Sequence, residues 1–438
     1  MPPVDTATAK AGELGAQQIG TVTDDITTAV PLDASGNPQR SADGTWRRDD
    51  RGRESTLSNM IAQSYVDSLA AKKVANADIG VMNPGGVRAE LYQDEDGITF
   101  REAANIMPFN NIVKTIDVTG ATFKEILEQQ WQPGSSRPFL ALGLSERVTY
   151  TYDPYAPQGS HVTSIMLDGK PMDMGKTYTV ASNNFLLAGG DSFTTLGDAT
   201  MTDTGFLDRD VTAEYLKAEQ PLSASYTKRQ VGESVSTDSA TGEATVGLTG
   251  LLFTPASEQA ASGAAKSVSA LVPTTEGDTM TLATADVDGA VTAGLPETGK
   301  ATLSFTLPAD AATQACSTST SSNITLCATV TLAVTSNGGD TTGTYAVEVP
   351  VPDSATTEPT ASPTTEPTAS PTTESTSTPT AQPSASSTAA PTVQPTARPT
   401  VQPTPGAGSN GFVEGFVSFL KHVIRHIGHW IGLLWPGL

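Results

Sequence analysis

At 438 residues, 37% of them hydrophobic, the chain is long enough for two or three domains and has apolar residues for cores in part of its length. A formal charge of -22 excludes a nucleic-acid polymer as a general partner, because no basic field exists to collect a polyanion. Abundant Thr, Ser, Pro and Ala, few basic residues and only 2 cysteines fit an exported protein with an extracellular or cell-surface location.

The N-terminus, Met-Pro-Pro-Val-Asp-Thr-Ala-Thr-Ala-Lys, has no basic head followed by an apolar run and does not read as a signal peptide. The expectation is an export signal further upstream, in a longer protein. Residues 1–35 read as a lead-in segment, with a short strand around Ile19 to Ile26 and an exposed loop. Residues 36–54 are polar and turn-rich. From Ser55 the spacing of Leu57, Met60, Ile61, Tyr65 and Leu69 predicts a helix, with Arg51 and Arg53 just before an N-terminus that favours anions.

The apolar run Ala77 to Met82 predicts a buried strand, followed by the loop Asn83-Pro84-Gly85-Gly86-Val87-Arg88. Its glycines let backbone approach a ligand closely, and an arginine at the exit offers a planar fork of donors to a phosphate or carboxylate. Thr99 and Glu102 have capping-box spacing, predicting a short helix that ends before Pro108. Residues 112–118 alternate like a strand, 119–131 carry a helical pattern, and 148–152, 164–167 and 178–182 read as strands, with Asp168-Gly169 a hairpin signal. The mixture predicts an α+β fold for 36–230.

Residues 231–245 turn to Ser, Thr, Gly and Glu and read as an interdomain linker. Residues 246–351 have short alternating runs between Gly, Asp and Asn turns, predicting a small β-sandwich. Its Cys316 and Cys327 are expected to close one disulfide loop, worth roughly 2 to 4 kcal/mol; two thiols without a nearby histidine do not make a zinc site. Leu295-Pro296-Glu297-Thr298-Gly299 matches a sortase pentapeptide but lacks the membrane-spanning run and basic tail that should follow, so it reads as a chance match in a turn.

Residues 352–410 are rich in Pro, Thr, Ser and Ala and are expected to stay disordered. At about 3.1 Å per residue they would reach on the order of 150 Å, enough for a stalk. Over 411–438, Phe412, Phe416, Leu420, Val423, Ile427, Ile431 and Leu434 line one helical face and Lys421, His422, Arg425, His426 and His429 another. Charges within the apolar stretch argue against a membrane span and for an amphipathic helix on a membrane surface, or for a docking segment for another protein. The three histidines read as part of a polar face.

Two further loops put an aromatic beside turn-forming polar residues: Pro108-Phe109-Asn110-Asn111, and Asn183-Asn184-Phe185 running on to Gly189-Gly190-Asp191-Ser192-Phe193. Two rings from separate loops suit a clamp on a flat base, at about 1 to 3 kcal/mol of stacking each. In this order, Arg51-Gly52-Arg53-Glu54 with Asn59, the Asn83 to Arg88 loop, Pro108-Phe109, and Asn184-Phe185 with Gly189 to Phe193 resemble the C-terminal domain of bacterial and cell-surface 5′-nucleotidases over about residues 12–220.

That resemblance implies a substrate-recognition domain. Phe109 and Phe185 match the phenylalanines that sandwich the base, and Arg51 and Arg88 the arginines on phosphate and ribose oxygens. Asn83 matches the base-contacting asparagine, Asp191 the acid on the ribose hydroxyls, and Gly85 and Gly86 the glycines between. In the family, hydrolysis belongs to an N-terminal domain with two metal ions. Its Asp-x-His and Gly-Asn-His-Glu motifs are absent here, and 4 histidines in all are too few to build such a site. The chain is therefore expected to bind a nucleotide or nucleoside, to hold no metal or other cofactor, and to be inactive alone, with divalent metals in a separate metallophosphatase domain. The alternative is a non-catalytic surface binding or adhesion module.

Overall fold

The computed structural model describes residues 2–254, 261–291, 298–319 and 324–351, without the side chains of 2–5 and 290–291. The expected stalk over 352–410, the expected helix over 411–438 and residues Leu295, Pro296 and Glu297 lie outside the described residues.

The chain opens with a helix absent from the sequence reading, α1 (Pro2–Gly15), then β1 (Gln18–Gly20). An irregular segment leads to α2 (Thr56–Ala71), β2 (Ile79–Met82), β3 (Ile98–Thr99) and α3 (Phe100–Ile106). There follow β4 (Ile112–Thr119), α4 (Gly120–Glu128), β5 (Gly143–Leu144), β6 (Val148–Tyr152), β7 (Val162–Leu167) and β8 (Lys170–Pro171). The part closes with β9 (Thr177–Asn183), the single turns α5 (Asn184–Leu187) and α6 (Thr194–Gly197), β10 (Thr202–Leu207) and α7 (Asp208–Ala218).

A sheet in the order β10-β4-β9-β2-β5 forms the middle layer, with β2 parallel to β9 and the other pairs antiparallel. Residue alternation sends its side chains into two cores. Met82, Val113 and Ala181 pack with α2, α3 and α7, whereas Ile79, Val81, Ile116 and Val180 pack with α4, β6 and β7. The Ser55 hydroxyl starts α2 by accepting from the Ser58 N–H at 3.1 Å, and the expected capping box of α3 is formed by Thr99 and Glu102. Helix and sheet touch backbone to backbone at Gly80, where an added Cβ would sit 1.9 Å from the Ala62 carbonyl oxygen. Only glycine permits that approach.

The expected linker over 231–245 is instead a hairpin. Strand β11 (Gln230–Thr237) turns at Asp238 into β12 (Glu243–Leu252). Asp238 Oδ1 accepts the N–H groups of Ala240 and Thr241, and Gly242 takes a φ of 73°. The outer residues Ser234 and Ser236 are polar because that face of the hairpin meets water, which gives a ladder strand the composition of a linker. Beyond it come β13 (Ala265–Pro273), β14 (Thr279–Asp286), β15 (Asp288–Val291), β16 (Thr298–Thr306), β17 (Thr313–Ala315), β18 (Leu326–Ser336) and β19 (Thr341–Pro350).

These strands make two stacked sheets over a core including Val246, Leu248, Val268, Leu332 and Val347. One of the sheets is shared: its order is β15-β16-β12-β11-β6-β7-β8, and β11 runs parallel to β6 with Gln230 opposite Tyr150. A disulfide joins Cys316 to Cys327 between β17 and β18. Thr298 does not sit in a turn but begins β16, buried, its hydroxyl donating to the Leu252 carbonyl at 2.8 Å. The free edge of β19 is capped by hydroxyls from the first part: Thr149 donates to the Thr344 carbonyl at 2.6 Å and Thr151 to that of Ala346 at 3.2 Å.

Glu54 closes the seam. Its buried carboxylate accepts from the Arg229 N–H at 2.7 Å, the Gln230 N–H at 3.3 Å and Asn59 Nδ2 at 2.7 Å, with Lys228 Nζ at 3.3 Å. Removing one member of such a set strands the others in a dry interior at a cost of about 3 to 5 kcal/mol. Glu54→Ala is therefore expected to lower unfolding stability by about that amount in urea titration, and a loss under about 1 kcal/mol would contradict this role.

Glu233 on β11 is buried, and its Oε2 has no hydrogen-bond partner. Burial above all, with the charges of Asp153 and Glu348, pushes its carboxyl up to about 7, against the pull of the Thr163 and Thr151 hydroxyls. Unfolded, it titrates near 4.5. The folded chain thus keeps a proton that the unfolded chain releases, so this contribution to stability is full below pH 4.5 and is lost as pH rises through about 7. Glu233→Gln should flatten that decline and raise the urea midpoint at pH 8 relative to the parent; an unchanged pH slope would contradict it.

Candidate functional site

The parallel pairing of β2 and β9 brings their carboxyl ends side by side, the place where open α/β sheets present ligand-binding loops. Asn83 follows β2 and Asn183 ends β9. Asn183 Nδ2 donates to Asn83 Oδ1 at 3.0 Å, while its own Oδ1 caps α5 by accepting the Leu186 N–H at 2.9 Å. Asn83 Nδ2 then donates to Asp191 Oδ2 at 2.6 Å. Both asparagines are buried, so their amides are fixed by these bonds.

Asp191 is held in a left-handed conformation, φ 53°, by a tight turn after Gly189, and its carbonyl accepts Gln132 Nε2 at 2.7 Å. The carboxylate points over Gly85. A Cβ added there would lie 3.1 Å from Asp191 Oδ2, 3.2 Å from Arg51 Nη1 and 3.5 Å from Asn83 Nδ2. Three polar groups from distant parts of the chain therefore converge on the open side of one glycine. At Gly86 an added Cβ would meet Met82 Cε at 2.5 Å, so the methionine end would have to shift.

Arg51 is largely occupied. Its Nε and Nη2 make a two-point bridge to Asp49, each at 2.9 Å, leaving Nη1 directed at Gly85. The bond to Asp49, then the charges of Asp49 and Asp191, raise its pKa against partial burial. Asp49 is itself fixed, its N–H donating to Thr28 Oγ1 at 3.0 Å. Arg88 is exposed, and its guanidinium carbon stands 5.8 Å from the centroid of the Phe109 ring.

Phe109 and Phe185 are 54% and 48% exposed, which sets them apart from the buried phenylalanines at 123 and 193. They lie at the same end of the sheet. Antiparallel pairing puts Val113 opposite Asn183, and Asn184 Oδ1 accepts the Ile112 N–H at 2.7 Å, so the loop before β4 and the turn after β9 are stitched together. Gly190 lets the Phe185 ring lie against its backbone, where an added Cβ would meet Phe185 Cε1 at 2.5 Å. All eight residues singled out in the sequence thus belong to loops at one sheet edge. Asp49, Asn183 and Gln132 were missed. The Asp49–Arg51 spacing and the doubled Asn183-Asn184 were visible, but Gln132 reaches Asp191 only through tertiary packing.

Two other features fall outside this edge. A polar cleft of about 230 Å³, lined by Arg147, Asp168, Thr149, Thr227 and Thr344 among others, contains none of the eight residues. His161 is a core group, stacked on Trp131 with ring centroids 4.3 Å apart and bonded to Glu128 at 3.2 Å.

Residues 19–198 match the model of the 5′-nucleotidase, C-terminal domain family. Among curated proteins, a trifunctional nucleotide phosphoesterase of Bacillus subtilis is 33% identical over 177 residues, covering 38% of this chain and 12% of that protein. A cell wall protein of Listeria monocytogenes is 31% identical over 190 residues, 42% of this chain and 24% of that one. A solved 5′-nucleotidase precursor from Thermus thermophilus shares 27% identity, with a TM-score of 0.40, over 52% of this chain and 42% of its own. The chain spans under a third of the length of these curated relatives. Together with the residues gathered at the sheet edge, the family match identifies residues 19–198 as a 5′-nucleotidase C-terminal domain.

Proposed function

We propose that this domain binds a nucleotide or nucleoside, as the recognition part of a surface 5′-nucleotidase-type hydrolase acting in nucleotide breakdown. The base stacks between Phe109 and Phe185, Asp191 accepts from the ribose hydroxyls, Asn83 steadies Asp191 and contacts the base side, and Arg51 and Arg88 face ribose and phosphate oxygens. The observation that carries this reading is the convergence of Asn83, Asp191 and Arg51 on Gly85 at the edge that also exposes both rings. A carboxylate is an acceptor of two hydroxyl protons, and a glycine floor lets a sugar come close. The relatives named for nucleotide phosphoesterase activity and for the cell wall support the hydrolase family and the surface location.

Breaking a phosphate ester requires groups to activate water and to neutralise the leaving oxygen. Among the described residues no group of three or more His, Cys, Asp or Glu converges to hold a metal ion. In this reading, divalent metals and the chemistry belong to a metallophosphatase domain outside these 438 residues. The second reading, a surface binding or adhesion module, is favoured by the two-sheet unit fused to the domain through β6 and β11. Hydrolysis of AMP by this chain mixed with a metallophosphatase domain from a relative separates the two.

Calorimetry with adenosine or AMP should show binding by the full chain. Phe109→Ala or Phe185→Ala should weaken it at least about fivefold, given about 1 to 3 kcal/mol per stacked face. Equal affinity in parent and both variants would overturn the stacking assignment.

A further inference from the structure

The loop that carries Phe109 is held by the head of α7, where β10 runs out beside β4. Asn110 takes a left-handed conformation, φ 55°, and its Oδ1 accepts Arg209 Nη1. Asn111 Nδ2 donates to Asp208 Oδ2 at 3.1 Å, and the Asp208 N–H returns a bond to the Asn111 carbonyl at 2.9 Å. Asp208 Oδ1 accepts the Arg209 N–H at 2.8 Å, so each carboxylate oxygen serves an N–H donor. Asp208 is wholly buried and Arg209 nearly so, whereas Pro108 to Asn110 are exposed. An exposed ring-bearing loop is thereby anchored on two buried charged side chains.

We infer that Asp208 and Arg209 are positioning residues for base recognition: they fix the Phe109 loop against the Phe185 turn, so that affinity for the base, and not for the sugar phosphate, depends on them. The inference rests on the binding reading above and adds to it a group of residues outside the pocket. A stacking platform yields its full energy only when its ring is already in place, because ordering a loop at the moment of binding subtracts from it. Ionised, Asp208 is an acceptor alone on both oxygens; protonated, it turns one of them into a donor and a weaker acceptor. Its burial, outweighing the Arg209 and Asn111 hydrogen bonds and the Arg209 charge, pushes its carboxyl up to about 6, with Asp210 adding to the rise. Burial first, and then the Asp208 charge, keep the Tyr65 hydroxyl on α2 protonated. A proton on either oxygen displaces a donor, from Asn111 or from Arg209.

The test compares adenosine with ribose 5-phosphate on the full chain. Asn110→Gly keeps a residue at ease in the left-handed region and removes only the Arg209 contact; Asp208→Asn removes the charge. Both variants should bind adenosine about tenfold more weakly and ribose 5-phosphate within twofold of the parent. Parent affinity for adenosine should fall about tenfold between pH 7.5 and 5, while Asp208→Asn shows no such fall. Equal losses on both ligands, no loss in Asn110→Gly, or a retained pH dependence in Asp208→Asn would overturn the inference alone. Absence of adenosine binding by the parent chain would overturn the binding reading as well.

Discussion

The hydrogen bond from Asn83 to Asp191, at 2.6 Å across 108 residues of sequence, is the constraint on which the site depends. It exists because β2 and β9 are parallel neighbours, so that the loop after one strand and the turn after the other open on the same edge. Asn183 orients Asn83, Asn83 orients Asp191, and Asp191 closes over Gly85 beside Arg51. The two asparagine amides are committed to these bonds, whereas the Asp191 carboxylate is engaged here through Oδ2 alone. Arg51 in particular offers one nitrogen, since Asp49 holds the other two. Local charge here is balanced, with Arg51 set between Asp49 and Asp191.

The second constraint is mechanical. The helix that follows the Arg51 segment is pressed on β2 at Gly80, and the same segment is tied at Glu54 to residues 228–230, where the chain passes into the two-sheet unit. A shared seven-stranded sheet and the hydroxyl-capped edge of β19 make that unit part of the framework around the site. Loss of the unit would expose the edge of β6 and leave the Glu54 carboxylate without its backbone donors.

Much of this was legible in the sequence, for physical reasons that differ by element. The period of Leu57, Ile61, Tyr65 and Leu69 predicts α2 because one face must be dry, and these four are fully buried. Thr99 and Glu102 announce a helix start because both supply missing backbone partners. The ring residues stood out by their motif order, not by hydropathy, since Phe193 has much the same local setting as Phe185 and is core. The hairpin over 230–252 was hidden by its polar outer face, and the Asp208–Arg209 anchor by the fact that its partners are nearly 100 residues away. Residues that act through tertiary hydrogen bonds carry no periodic signal.

The central claim is that one ligand occupies the edge where Gly85, Asp191, Phe109 and Phe185 meet. A crystal structure of the full chain soaked with adenosine tests it most directly. The account predicts the base between the rings of Phe109 and Phe185 and the ribose hydroxyls within hydrogen-bond distance of Asp191. Adenosine bound elsewhere, such as in the cleft beside Arg147 and Asp168, with this edge empty, would contradict it.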